Sequence, residues 1–135
     1  MQIRSYNAED RDSLIALWQA VFPDDPPHNA PAAMIDAKLA VDDLIFVAEV
    51  DAKIVGACMA GYDGHRGWLY ALAVLESHRG QGIGASLVER SSQALKAKGC
   101  IKVNLQVRAS NQAVERFYQS LGFETEARIS MGKFL

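Results

Sequence analysis

At 135 residues, half of them hydrophobic, the chain is long enough to bury one core and too apolar for disorder. Its 14 basic and 16 acidic residues leave a net charge of −2 without a run of like charges, so it offers no electrostatic footprint for nucleic acid and no basic face for a membrane. No apolar stretch could span a bilayer, Met1–Ser5 lacks a signal-peptide block, and the distant Cys58 and Cys100 fit neither a disulfide framework nor a metal motif; a single cytoplasmic domain over 1–135 is expected.

The opening residues read as a strand. Leu14, Leu17, Trp18 and Val21 then repeat at helical spacing, with Asn7 as a candidate N-cap and Glu9 and Asp10 in the first turn. All four prolines fall between Pro23 and Pro31, which marks a loop. Met34, Ile35, Lys38 and Leu39 suggest a shorter helix. The period then changes. Leu44–Val50 and Ile54–Gly61 are apolar and β-branched and are joined by Asp51-Ala52-Lys53, a hairpin pattern. Gly64–Gly67 reads as a turn before a strand from Trp68 to Val74.

Leu87, Val88, Ser91 and Leu95 restore the helical period from Gly82 to Lys98, and Gly99 suits the left-handed residue after a helix. Lys102–Val107 alternates like a half-buried strand. Val114, Phe117, Tyr118 and Leu121 mark a last helix, stopped by Gly122, and the tail from Phe123 to Leu135 is expected to form a final strand. The pattern predicts an α+β domain.

The richest stretch is Arg79-Gly80-Gln81-Gly82-Ile83-Gly84, between a strand and a long helix. Glycines let backbone N–H groups approach a ligand, and a helix N-terminus adds unpaired donors, so the place suits a phosphate. A P-loop would need Lys-Ser/Thr after the last glycine, where Ala85-Ser86 stands. Gly80, Gly82 and Ala85 match a dinucleotide fingerprint, but four residues separate the strand from Arg79, and the next strand ends Gln106-Val107-Arg108 without an acid. A nicotinamide or flavin binder is therefore disfavoured.

Leu72-Ala73-Val74, Arg79-x-x-Gly82-x-Gly84, and Asn111 and Tyr118 ahead of Leu121-Gly122-Phe123 together resemble the GNAT superfamily of acyl-CoA-dependent N-acetyltransferases. The stretch Gly61–Gly67 further resembles the bacterial YpeA-like acetyltransferases. The resemblance covers almost the whole chain. It implies a three-layer fold with a mostly antiparallel sheet, splayed at a cofactor slot and flanked by helices. It also implies acetyl-CoA as acyl donor, without a metal, and direct transfer in a ternary complex. Backbone groups of Leu72, Ala73 and Val74 would pair with the pantetheine arm. Amides of Gly80, Gln81, Gly82, Ile83, Gly84 and Ala85, with Arg79, would hold the pyrophosphate, and Asn111 would contact the arm. The acceptor would be a small-molecule or peptide amine, and a homodimer is allowed.

Acetyl transfer to an amine needs a proton removed, an oxyanion stabilised and a thiolate released. Tyr118 stands seven residues after Asn111, two helical turns on, and falls on the family's acid position. By pattern alone it reads as a core tyrosine, since aromatic stripes on helices usually face the core, and Asn111 as an N-cap. Relatives carry a base glutamate at the positions of Gln106 or Trp68; neither acid is present. Glu49, Asp63 and His65 remain as base or relay candidates, beside the plainer readings of strand surface, turn chemistry and exposure, and a water relay is preferred. Cys58 reads as a buried small hydrophobe. With no credible nucleophile, direct attack is favoured. The rival reading is a non-catalytic acyl-CoA-binding or sensing module.

Overall fold

The computed structural model describes all residues from Met1 to Leu135, and the chain forms two compact units, Met1–Leu105 and Gln106–Leu135. The first holds strand β1 (Gln2–Ser5), helices α1 (Arg11–Val21) and α2 (Pro31–Leu39), strands β2 (Ile45–Val50), β3 (Lys53–Tyr62) and β4 (Gly67–Val74), helix α3 (Ile83–Ala97) and strand β5 (Val103–Asn104). The second holds helix α4 (Gln112–Ser120).

The five strands form one sheet in the order β1-β2-β3-β4-β5, antiparallel except for the parallel β4–β5 pair. β2 and β3 are buried on both faces, which explains their nearly continuous apolar sequence. Strand alternation sorts their side chains. Ile45, Val47, Ala57 and Met59 join Leu14, Leu17 and Trp18 of α1 and Ile35 of α2 in one core layer. On the other face Gly56 lies beneath Ile83 and Leu87 of α3, where a Cβ would come within 3.2 Å of both side chains and 3.1 Å of the Ala73 carbonyl. Arg90 of α3 stacks its guanidinium 4.8 Å over the Phe46 ring. This is the mixed, helix-flanked sheet of the GNAT fold.

α1 begins as its sequence demands. The Asn7 side chain accepts from the Glu9 N–H at 3.0 Å, and the Asp10 carboxylate accepts from the Asn7 N–H at 2.9 Å. This reciprocal capping box opens a single 3-10 turn, Ala8–Asp10, that runs into α1. The proline loop contributes a second 3-10 turn at Pro27–Asn29.

Three expectations change. No strand forms over 123–135, and the strand expected at Lys102–Val107 is reduced to Val103–Asn104. Ile129, Met131, Phe134 and Leu135 are exposed, so the tail lacks the buried face that would turn its apolar residues into a strand. The turn before β4 also shifts, because Gly67 is already its first residue. A Cβ there would meet Cys100 Sγ at 2.7 Å and Leu95 Cδ1 at 2.9 Å, so packing demands the glycine.

Candidate acyl-donor site

β5 pairs with β4 only at Gly67 and Trp68. From Leu69 to Val74 the strand has no ladder partner on its β5 side, and the sheet is splayed there. Leu72, Ala73 and Val74, expected to pair with an extended ligand, lie on this open edge. An unpaired edge accepts an extended segment as an added strand.

The glycine loop follows directly. A 3-10 turn, Glu76–His78, leads to Arg79, whose Nε donates to the Val74 carbonyl at 3.1 Å and so anchors the side chain at the end of the open edge. Gly80 has φ +77 and Gly82 has φ +82, values that favour glycine, and nothing lies within 4 Å of where a Cβ would stand on either. Gly82 is the N-cap of α3 and has no side chain to cap with. The first bond closing the helix runs from the Ser86 N–H to the Gly82 carbonyl at 3.1 Å. The N–H groups of Ile83, Gly84 and Ala85 therefore open the helix without intrahelical acceptors, at the positive end of its dipole. The open cradle and its donors fit a pyrophosphate.

Asp63 and His65 share one turn, and Glu49 is not brought to them. Glu49 lies opposite Ile54 at the start of β3, whereas Asp63 follows the end of that strand, about 30 Å away at ordinary strand rise. Glu49 Oε1 accepts from Arg4 Nη2 at 3.2 Å. Asp63 Oδ1 accepts from the His65 and Arg66 N–H groups, each at 2.7 Å. These backbone donors, Arg66 first, hold the Asp63 carboxyl below the ordinary carboxylate range. His65 is exposed in the same turn, its Nδ1 3.4 Å from Arg66 Nη1. Cys58 is fully buried, and burial pushes its thiol up to about 11, the signature of an inert core cysteine.

A cavity of about 300 Å³ opens between α1 and the proline loop, lined by Trp18, Phe22, Pro26, Pro31 and Met34 with Asp25 among them. The prolines mark the loop in the sequence, but the cavity arises from how that loop folds back against Trp18, Phe22 and Met34, which the proline pattern does not encode.

In the second unit Asn111 caps α4, its Oδ1 accepting from the Val114 N–H at 3.2 Å. Tyr118 is buried, with Phe117 and Phe123 edge-on at 5.0 and 5.5 Å. Gln106 donates to the Ser130 hydroxyl, and its amide offers no basic group at neutral pH.

The model of the acetyltransferase (GNAT) family matches residues 11–123. The chain belongs to the GNAT acetyltransferase family. An acetyltransferase of Pectobacterium atrosepticum is 44% identical over 138 residues, which cover 100% of this chain and 96% of that relative. An N-acetyltransferase of Yersinia pestis is 42% identical with the same coverage. Among solved structures, an acetyltransferase from Agrobacterium tumefaciens aligns with a TM-score of 0.79 at 26% identity, over 98% of this chain and 100% of that one. The aminoglycoside N-acetyltransferase AAC(6')-Iy in complex with CoA aligns with a TM-score of 0.84 at 24% identity, over 98% and 93% of the two chains, and shares the fold. This GNAT chain is accordingly an acyltransferase, and no helix in it is long and apolar enough to cross a membrane.

Proposed function

We propose that this GNAT enzyme transfers an acetyl group from acetyl-CoA to a primary amine, by direct attack in a ternary complex. The observation that carries the reading is the continuity of the open β4 edge with the glycine loop, joined where Arg79 bonds the Val74 carbonyl. One element receives an extended arm and the next receives a pyrophosphate, in the order that CoA presents them. Acetyl-CoA supplies the activated thioester.

The chain's residues divide the remaining work. Backbone groups of Leu72, Ala73 and Val74 orient the arm, with Asn111 contributing beside its capping role. Amides from Gly80 through Ala85, with Arg79, bind the pyrophosphate. Tyr118 donates the proton that the departing thiolate takes up; an unperturbed thiol has a pKa near 8.5, so this assistance is modest in cost and useful near neutrality. Proton removal from the amine passes through water, since Glu49 is engaged by Arg4 and Asp63 by backbone donors. The acceptor is a small-molecule or peptide amine. Support for a small-molecule acceptor comes from AAC(6')-Iy, solved with a bisubstrate analogue of CoA and acetylneamine. The donor's supply places the reaction in the cytoplasm, and the Gly61–Gly67 stretch supports a YpeA-like subgroup.

Release of free CoA thiol, measured with acetyl-CoA against aminoglycosides, peptide α-amines and polyamines, tests the reading. Amine-dependent release is expected with at least one class. CoA binding without release to any amine would leave only a sensing module.

A further inference from the structure

β4 carries one residue more than β3 between two register points. Tyr70 faces Met59 and Ala73 faces Ala57, so Ala71 and Leu72 together stand opposite Cys58. Ala71 takes φ +51, a left-handed conformation that is costly for a residue with a Cβ. Asn or Asp could offset that cost with a local side-chain hydrogen bond, but alanine has none to offer. The indole Nε1–H of Trp18 on α1 donates to the Ala71 carbonyl at 3.0 Å. Trp18 is 1% exposed, so its donor is fixed by packing in the core layer shared with Ala73.

The bulge has a consequence along the strand. Successive residues of a strand aim their N–H and C=O groups at opposite edges, and one inserted residue reverses that phase for everything beyond it. Leu72, Ala73 and Val74 follow the left-handed residue directly. Were Ala71 to relax to an extended conformation, a different set of their backbone groups would face the open edge.

We propose that Trp18 is a positioning residue for the acyl donor: its indole N–H locks the left-handed Ala71, and the locked bulge selects which backbone groups of Leu72–Val74 meet the donor's arm. Trp18 acts through Ala71 and touches no reacting atom. The inference rests on the reading that the arm lies along the open β4 edge.

Calorimetric titration with CoA and with 3′-phospho-ADP, the fragment of CoA without its pantetheine arm, tests the lock. Trp18→Phe is expected to weaken CoA about tenfold, the effect of one net hydrogen bond, and to leave the fragment's affinity unchanged. Adding Ala71→Gly to Trp18→Phe should recover most of the loss, because glycine takes the positive φ without a latch. Loss of both ligands in parallel, or no recovery with Ala71→Gly, would mean that Trp18 only supports the core and would overturn the inference. Should Trp18→Phe fail to fold, the wild-type indole proton gives the answer by NMR. It is expected to exchange slowly and to shift with CoA but not with 3′-phospho-ADP, and fast exchange or equal shifts would overturn the lock. A wild type that binds CoA beside an unaffected Trp18→Phe refutes the lock alone. A wild type that binds no CoA refutes the functional reading as well.

Discussion

Arg4 Nη2 donates to Glu49 Oε1 at 3.2 Å, diagonally across the β1–β2 ladder, while the same guanidinium grips Asp10 through both carboxylate oxygens at 2.8 and 2.9 Å. Glu49 is thereby a structural partner before it could be a base. A partly exposed pair of this kind contributes at most about 1 kcal/mol. Glu49→Gln should therefore lower stability slightly and leave kcat/KM within about threefold of wild type.

The pH profile of kcat/KM follows from the same arrangement. Without a dedicated base, turnover tracks the neutral amine and rises through the amine's own pKa, about 7.7–8.0 for an α-amine and about 10.4 for lysine. Measured with one α-amine and one lysine acceptor, the two limbs should separate accordingly. A shared limb well below both values, lost in Asp63→Asn or His65→Gln, would identify a base in the β3–β4 turn.

Asp10 sets an acid limit on stability. The Arg4 guanidinium, opposed by burial and aided by the Asn7 N–H, holds its carboxyl below the usual range. A depressed folded-state pKa stabilises the fold above the unfolded value, near 3.9, and that stability drains away as pH falls through the lower folded value. Denaturant titrations from pH 7 downward should show this loss in the wild type. Asp10→Asn should be less stable by about 2 kcal/mol at pH 7 and lose less of what remains on acidification.

Gly82→Trp tests the cradle. The positive φ costs a non-glycine residue about 1–2 kcal/mol, and the open space before Gly82 lets the rest of the fold stand. CoA affinity should fall by about 100-fold or more as the indole fills the pyrophosphate position. Unchanged affinity in a folded variant would remove the phosphate role from this loop.

Tyr118→Phe removes a hydroxyl and keeps the ring between Phe117 and Phe123. An acid role predicts a fall in kcat of about 10²-fold with CoA affinity unchanged. Untouched turnover would make Tyr118 a core residue of its own unit.

The parts of this fold that could be read in the sequence are those where one residue type has one structural use. Gly80 and Gly82 announce positive φ because only glycine takes it freely, and Asn7 and Asn111 announce helix starts because their side chains reach backbone N–H groups. Both core-facing periods were legible for the same reason. The bulge at Ala71 was not, since alanine carries no mark of a left-handed conformation and the donor that holds it comes from a helix far away in sequence. The hairpin was legible at Asp51-Ala52-Lys53, but its turn type was not: Asp51 and Ala52 both take positive φ, the geometry of a two-residue type I′ turn, without its usual glycine. The missing strand after Phe123 has another cause. Apolar residues such as Ile129 and Phe134 signal a strand only if a sheet face receives them, and burial is a property of the whole fold.

The splay in the sheet also bears on how the protein keeps from joining copies of itself. An unpaired strand edge is a template on which a second chain can build. Here that template is short at both ends. β5 closes it at Trp68, and Arg79 occupies the last carbonyl at Val74, which leaves a window of about 20 Å at ordinary strand rise. A window of that length is about one ordinary strand, so one extended guest can fill it, and a guest seated there would cover the edge that a second chain could otherwise use.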